Sequence, residues 1–454
     1  MFELLRYINN DRLYYDGFID YSMLPDKLVS VLPDTFKLHG IDEESSIGLY
    51  CERTSLFMPL VIVLDKIGCS VFVYNKNTYE EKKRMSFSEV DFVIMDQIDK
   101  DISCEEVTFF EDSIFLIRGG KEGITFGRAL LSFYTSGVTG KSSEVVKDNA
   151  ILVAEAMRII RLLHLTDKDK ILCNAPAFHS FGQAFGCYAA AIAGAKVRYM
   201  QPFVLPSHIL SELGKDEYTI LISTPAYYKS IYKHLEVYPS LKYKLSAGGK
   251  LSNEVLEYGV RINNVYGTTE TGAMAIQLFL DSEDSASVGH EMPGVMIEFD
   301  TDYADSQIKE MNGRVKVKTP FHALWVKDGE TRKELGDDFF MLNDIAYRDT
   351  KGNIYIYARC DGTININGEK VMLSEIEKAL SNLDYVNEYK VQKCYIGDGR
   401  ESTKAFVVVK NNENVNDIRK SLTSYIENYK IPREIRIVKE LKRSEMGKIL
   451  ANQE

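Results

Sequence analysis

The chain is 454 residues long, with 45% hydrophobic and 27% charged residues and a formal net charge of -11. That length is too great for one ordinary core, so two or more domains are expected, and the balance excludes disordered and collagen-like classes. The acidic charge excludes a general nucleic-acid binder, because phosphate contacts need an excess of Lys and Arg, although a local basic patch for a nucleotide stays open.

The N-terminal stretch MFELLRYINNDRLYYDG has no basic region followed by an apolar run, so no secretory signal is expected. Cys51, Cys69, Cys104, Cys173, Cys187, Cys360 and Cys394 are scattered, odd in number and contain no C-x-x-C pair. They are expected to be free, mostly buried thiols in a reducing compartment. Leu131 to Ser143 (LSFYTSGVTGKSS) runs from an apolar start into hydroxyls and glycines. Such a loop, followed by a helical segment, lets backbone N–H groups approach a phosphate, with a polar turn between two strands as the bland alternative. Gly140-Lys141-Ser142 matches the end of a P-loop, but Thr135 stands where that signature needs its first glycine.

Asp148 to Leu163 predicts an amphipathic helix with Asp148 as its N-cap. ILCNAPAF, AKVRYM, YTILIS and YKLSAGG each predict a buried strand or a strand and turn. The apolar stretch FGQAFGCYAAAIAGAKVRYM is interrupted by Gln183 and is too short and too polar to span a bilayer. The expected location is therefore cytoplasmic, with no membrane span. Strand–helix alternation points to layered α/β architecture with a largely parallel sheet.

Near residues 358 to 362 the texture changes to a compact pattern. TININGEKV predicts a hairpin turning at Asn367-Gly368, and Ser374 to Glu377 has the form of a capping box opening a helix. KAFVVVK and EIRIV predict strands on either side of a helix ending near Tyr429. The expected division is a large N-terminal α/β domain, 1–358, and a small α+β C-terminal domain, 359–454.

Thr135-Ser136-Gly137-Val138-Thr139-Gly140 resembles the phosphate loop of the adenylate-forming superfamily, which includes acyl- and aryl-CoA synthetases, luciferases and nonribosomal-peptide adenylation domains. Further matches follow in the family's order. Pro176 to Gly182 resembles P-x-F-H-x-x-G, and Ser246-Ala247-Gly248-Gly249 the small-residue turn beside the acyl pocket. Asn264 to Glu270 is similar to N-x-Y-G-x-T-E, the most specific of the set. Ser287-Val288-Gly289 and Pro293-Gly294 resemble the glycine turn that comes next. Asp344, Ala358-Arg359-Cys360-Asp361, Gly368 and Met446-Gly447-Lys448-Ile449 resemble the family's ribose aspartate, hinge, hairpin glycine and C-terminal lysine motif.

The resemblance implies ATP-dependent activation of a carboxylic acid to an acyl-adenylate, then transfer to a phosphopantetheine thiol. Thr135, Ser136, Gly137, Thr139 and Gly140 with Tyr266, Gly267, Thr268, Thr269, Asp344 and Arg359 would bind ATP and AMP. Glu270 would hold Mg²⁺ against the phosphates, a task that suits a carboxylate on a tight turn. His179 and Ser246 to Gly249 would line the acyl pocket; a His where amino-acid-activating relatives carry Asp argues against an amino acid substrate. Lys448 would be the mobile catalytic lysine, stabilising charge on the reacting phosphoryl group. Asp361 falls on the hinge and Gly368 beside the pantetheine arm. The acceptor is CoA or an acyl-carrier protein, and similarity to short stand-alone ligases points to an aryl or short-chain acid on a carrier protein.

The sequence also departs from the family. Ser142 and Ser143 stand where the loop usually has Pro-Lys, so Lys141 or Lys147 is left to supply that charge. This departure motivates a second reading, a non-catalytic nucleotide- or acyl-binding relative. Retention of Glu270, Asp344, Arg359 and Lys448 weighs against it.

Overall fold

The computed structural model describes residues 14–15, 18–20, 26–109, 112–120, 130–135, 143–200, 204–279, 284–303, 308, 310–328, 331–336, 338–359, 362–366, 369–395, 401–410, 413–443, 449–450 and 452–453. The four apolar runs after residue 170 form Lys170–Cys173, Lys196–Tyr199, Ile220–Ser223 and Tyr243–Ser246. They pair in parallel with one another and with Asn263–Thr268. The apolar runs 171–173 and 220–222 are what a strand buried on both faces requires, whereas Arg198 and Lys244 interrupt the other two. Antiparallel strands flank them, Tyr14–Tyr15 and Phe18–Asp20 on one side, Gly272–Ile276 and His290–Glu291 on the other, giving nine strands.

A second nine-stranded sheet has a parallel centre made by Ser46–Tyr50, Ser70–Val73, Phe92–Met95 and Leu130–Thr135. Its edges are also antiparallel, so each sheet is mixed rather than largely parallel. Helices Thr54–Ile67 and Asn149–Leu163 share one continuous apolar core with strands of both sheets. Asp148 caps the second helix as expected, accepting from Ile151 N at 2.8 Å. A wholly antiparallel four-stranded sheet follows, in the order Met296–Asp300, Met311–Lys318, Phe340–Arg348, Ile354–Arg359.

Beyond it, Thr363–Ile366 and Glu369–Met372 pair as the expected hairpin, whose turn residues 367 and 368 lie outside the described residues. Val386–Tyr395, Glu401–Val409 and Glu434–Ile437 form a three-stranded sheet. Helices Leu373–Ser381 and Val415–Leu422 pack on it around a separate core that includes Ile376, Leu380, Val391, Val407, Ile418 and Leu422. Two expectations fail here. The helix over 373–381 starts at Leu373 with no side-chain cap, so Ser374 sits inside it, and Glu377 instead accepts from Lys390 Nζ at 2.8 Å and Val391 N at 3.2 Å. The following helix stops at Leu422 rather than near Tyr429, and it is this helix that carries a capping box, Asn414 with Asp417.

Six free cysteines are described, and Cys69, Cys173 and Cys187 are the buried ones. Burial pushes the Cys69 and Cys173 thiols up to about 12, so both stay protonated and unreactive at neutral pH. No helix among the described residues is long and apolar enough to cross a membrane.

Candidate active site

The carboxyl ends of the parallel strands in the first sheet open onto the segments singled out by sequence. That edge of an open α/β sheet is where ligands bind, because the strands hand over there to loops free to carry function. Ser223 and Ser246 are register partners on adjacent strands, and Ser246 is in turn the partner of Asn264. Asn174 joins the row through Asn174 N to Ile222 O at 3.1 Å. Asn174, Ser223 and Ser246 are buried side chains without a hydrogen-bond partner among the described residues. Ser246 and Ala247 are buried, whereas Gly248 and Gly249 are exposed, so the expected small-residue turn splits between floor and rim.

His179 is half-buried, 5.1 Å from the Phe178 ring between centroids. It opens a helix: His179 N donates to Pro176 O, and Gln183 N donates to His179 O at 2.9 Å. Gly182–Tyr188 then takes π-helical form, a rare geometry that tends to appear at functional sites. A methyl at Gly182 would lie 2.3 Å from Pro176 O, so only glycine lets this helix pack onto the 175–176 backbone.

The strand Asn263–Thr268 is pinned by side-chain amides. Asn263 donates to Gln277 O and accepts from Lys244 N, and Asn264 donates to Ser285 O at 2.8 Å. Tyr266 projects beyond the pinned part and donates its hydroxyl to Asp344 Oδ2 at 2.7 Å. Asp344 is buried on Phe340–Arg348, in register with Arg359 of the neighbouring strand. The turn after Tyr266 carries Thr268, Thr269 and half-buried Glu270, with Thr268 and Thr271 hydroxyls 3.0 Å apart. Among the described residues the Glu270 carboxylate enters no hydrogen bond or ion pair. Its backbone carbonyl accepts from Ala323 N.

Tyr266, Gly267, Thr268, Thr269, Glu270 and Asp344 therefore converge, with the Arg359 backbone beside them. His179, which opens the helix after strand 170–173, and Ser246 to Gly249, at the end of strand 243–246, follow strands of the same sheet with 220–223 between them. Thr135 and Arg359 are described by backbone alone. Ser136, Gly137, Thr139, Gly140, Asp361, Gly368 and Lys448 lie outside the described residues, as do Lys141, Ser142 and Cys360. The loop they expected to lead into a helix instead joins Leu130–Thr135 to Ser143–Asp148 as antiparallel strands, Thr135 opposite Ser143. A strand-to-helix P-loop is not built at this place.

Of Lys141 and Lys147, the two left to supply the loop charge, Lys147 is the one described. It is buried and opposite Leu131, 3.7 Å from Glu155 Oε2. Burial pushes its ammonium below the ordinary lysine range, against the opposing fields of Glu155 and Glu270. Three contributors were missed at the sequence level. Glu155 and Arg158, on the helix Asn149–Leu163, bind the Ala273 peptide just past Glu270. Lys250, after the small-residue turn, donates to Tyr357 O at 2.8 Å. The i, i+3 spacing of Glu155 and Arg158 was the available signal.

Residues 34–322 match the model of the AMP-binding enzyme family, and residues 375–448 match that of its C-terminal domain. The chain belongs to the AMP-binding enzyme family. Among its relatives in this family, a 2-succinylbenzoate–CoA ligase from Listeria monocytogenes serotype 4b (strain F2365) is 26% identical, over 91% of this chain and 89% of its own length. A 3-hydroxybenzoate–CoA ligase from Aromatoleum sp. (strain CIB) is 25% identical over 70% of this chain and 64% of its own length. The AMP-binding fold is shared with o-succinylbenzoate CoA synthetase from Bacillus subtilis in complex with its acyl-adenylate intermediate. The TM-score is 0.75 at 20% identity, with 94% of this chain and 91% of that one covered.

Proposed function

We propose that this chain is an AMP-forming acid–thiol ligase. A carboxylic acid that is aryl or acyl, and not an amino acid, attacks the α-phosphorus of ATP through a carboxylate oxygen. Pyrophosphate leaves and an acyl-adenylate remains. A phosphopantetheine thiol then attacks the acyl carbon, and AMP leaves with the bridging oxygen. The observation that carries this reading is the convergence of Tyr266, Asp344 and the Glu270 turn. Asp344, oriented by the Tyr266 hydroxyl, accepts hydrogen bonds from ribose hydroxyls, and the Tyr266 ring lies against adenine. Thr135, Ser136, Gly137, Thr139 and Gly140 surround the phosphates, and Arg359 reaches the same nucleotide. Lys448 brings a cation to the α-phosphate during adenylation.

A lone open carboxylate fits Mg²⁺, which keeps several waters and is held by one or two carboxylates together with substrate phosphates. Among the described residues no cluster of three His, Cys, Asp or Glu side chains forms a dedicated metal cage. Bound there, Mg²⁺ would neutralise charge on the phosphates.

His179 and the Ser246–Gly249 turn border the acid. The two domains divide at 358/359. Asp361 is the hinge about which residues 359–454 turn between the two half-reactions, and Gly368 then faces the pantetheine. The relatives are named as CoA ligases, which favours CoA over a carrier protein as acceptor. With Mg-ATP, at least one aryl or short-chain acid is expected to release pyrophosphate, and adding CoA is expected to yield the thioester. A broad panel of acids that releases no pyrophosphate would refute this function.

A further inference from the structure

A buried charged group on the helix Asn149–Leu163 grips the peptide that follows Glu270. Glu155 Oε1 accepts from Ala273 N at 2.7 Å, and Arg158 Nη2 donates to Ala273 O at 2.7 Å. Both side chains are buried, at 4% and 5% exposure. Burial at that level matters, because a buried ionised group is retained only where partners satisfy it. Arg158 is held in turn by Pro293 O at 3.4 Å and by the Phe321 ring, 3.9 Å below its guanidinium carbon. Lys147 balances Glu155 from the adjacent strand at 3.7 Å.

The turn is shaped to receive this grip. Gly272 has φ +71°, and a methyl there would sit 2.5 Å from Glu155 Oε1. A side chain at position 272 would therefore be strained and would also push the carboxylate off Ala273. On the other side, Glu270 O accepts from Ala323 N. The short turn 268–272 is thus tied beyond Gly272 through both polar groups of Ala273, and in its middle through the Glu270 carbonyl. Among the described residues the Glu270 carboxylate enters no hydrogen bond or ion pair that could set its height.

We propose that Glu155 and Arg158 are positioning residues for the adenylation step, clamping the Ala273 peptide and so fixing the turn from which Glu270 reaches the metal-bound phosphates. The clamp touches neither substrate nor metal. It acts through backbone, as groups supporting a ligating carboxylate do elsewhere. It rests on the reading of Glu270 given above.

Glu155→Met and Glu155→Gln separate the clamp from the charge pair. Both remove the partner of Lys147, but only Gln keeps an oxygen that accepts from Ala273 N. Isothermal calorimetry with Mg-ATP and with metal-free AMP reads the effect without turnover. Glu155→Met is expected to weaken Mg-ATP about tenfold or more while metal-free AMP and the Glu155→Gln protein stay within about threefold of the parent. Equal losses in the two variants, or equal losses for Mg-ATP and AMP, would overturn the proposal. Should Glu155→Met fail to fold, Arg158→Lys keeps the charge but not the fork. It is expected to show the same split, and unchanged Mg-ATP affinity would be contrary. Parent protein that binds Mg-ATP but turns over no acid would count against the ligase reading and leave the clamp standing.

Discussion

Tyr266 and Asp344 lie 78 positions apart and meet through one hydrogen bond of 2.7 Å. A bond to a charged acceptor contributes about 1.5–3 kcal/mol, more than a neutral one, and here it also fixes where the carboxylate points. Tyr266→Phe keeps the ring and loses the hydroxyl. The expected outcome is about a tenfold rise in the KM for ATP, equivalent to about 1.4 kcal/mol, with the KM for the acid unchanged; steady-state kinetics with each substrate varied checks it. The types of both residues were legible from their motifs, but the bond was not, since nothing local says that two segments so distant share a face. Glu155 and Arg158 were hidden for a different reason. On an amphipathic helix, charges three apart look like a solvated stripe, and only the packed structure turns them inward against Ala273.

At the scale of elements, the helix entered from His179 is the least ordinary. Its contact with 175–176 depends on a glycine, as a methyl at Gly182 would sit 2.3 Å from Pro176 O and 2.7 Å from Ala175 O. Gly182→Ala must therefore push the helix away, at about 1–3 kcal/mol for an overpacked site. A lower thermal midpoint together with a raised KM for the acid, and an unchanged KM for ATP, is the expected pattern. Strands 170–173 and 220–223 were readable because each carries a short apolar run closed by polar or small residues. The antiparallel four-stranded sheet was not, because its strands carry few motif residues, Asp344 and Arg359 among them. The glycine-rich loop misled in its context rather than its composition, since glycines serve a hairpin connection as well as a strand-to-helix turn.

Across the whole molecule, two parts with separate apolar cores are linked, among the described residues, by an ion pair. Glu388 of the C-terminal sheet faces Lys229 of the larger part at 3.5 Å. A partly exposed ion pair of this kind contributes only about 0–1 kcal/mol. The proposed turning of residues 359–454 suits a reaction in two halves, with one acyl-adenylate common to both. The order of bonds made and broken is therefore the central claim, and an oxygen label reads it directly. With the acid labelled by ¹⁸O in its carboxylate and with CoA as acceptor, mass spectrometry of the nucleotide product is expected to find one labelled oxygen in AMP and none in pyrophosphate. Label in inorganic phosphate alongside ADP, or AMP free of label, would contradict the account.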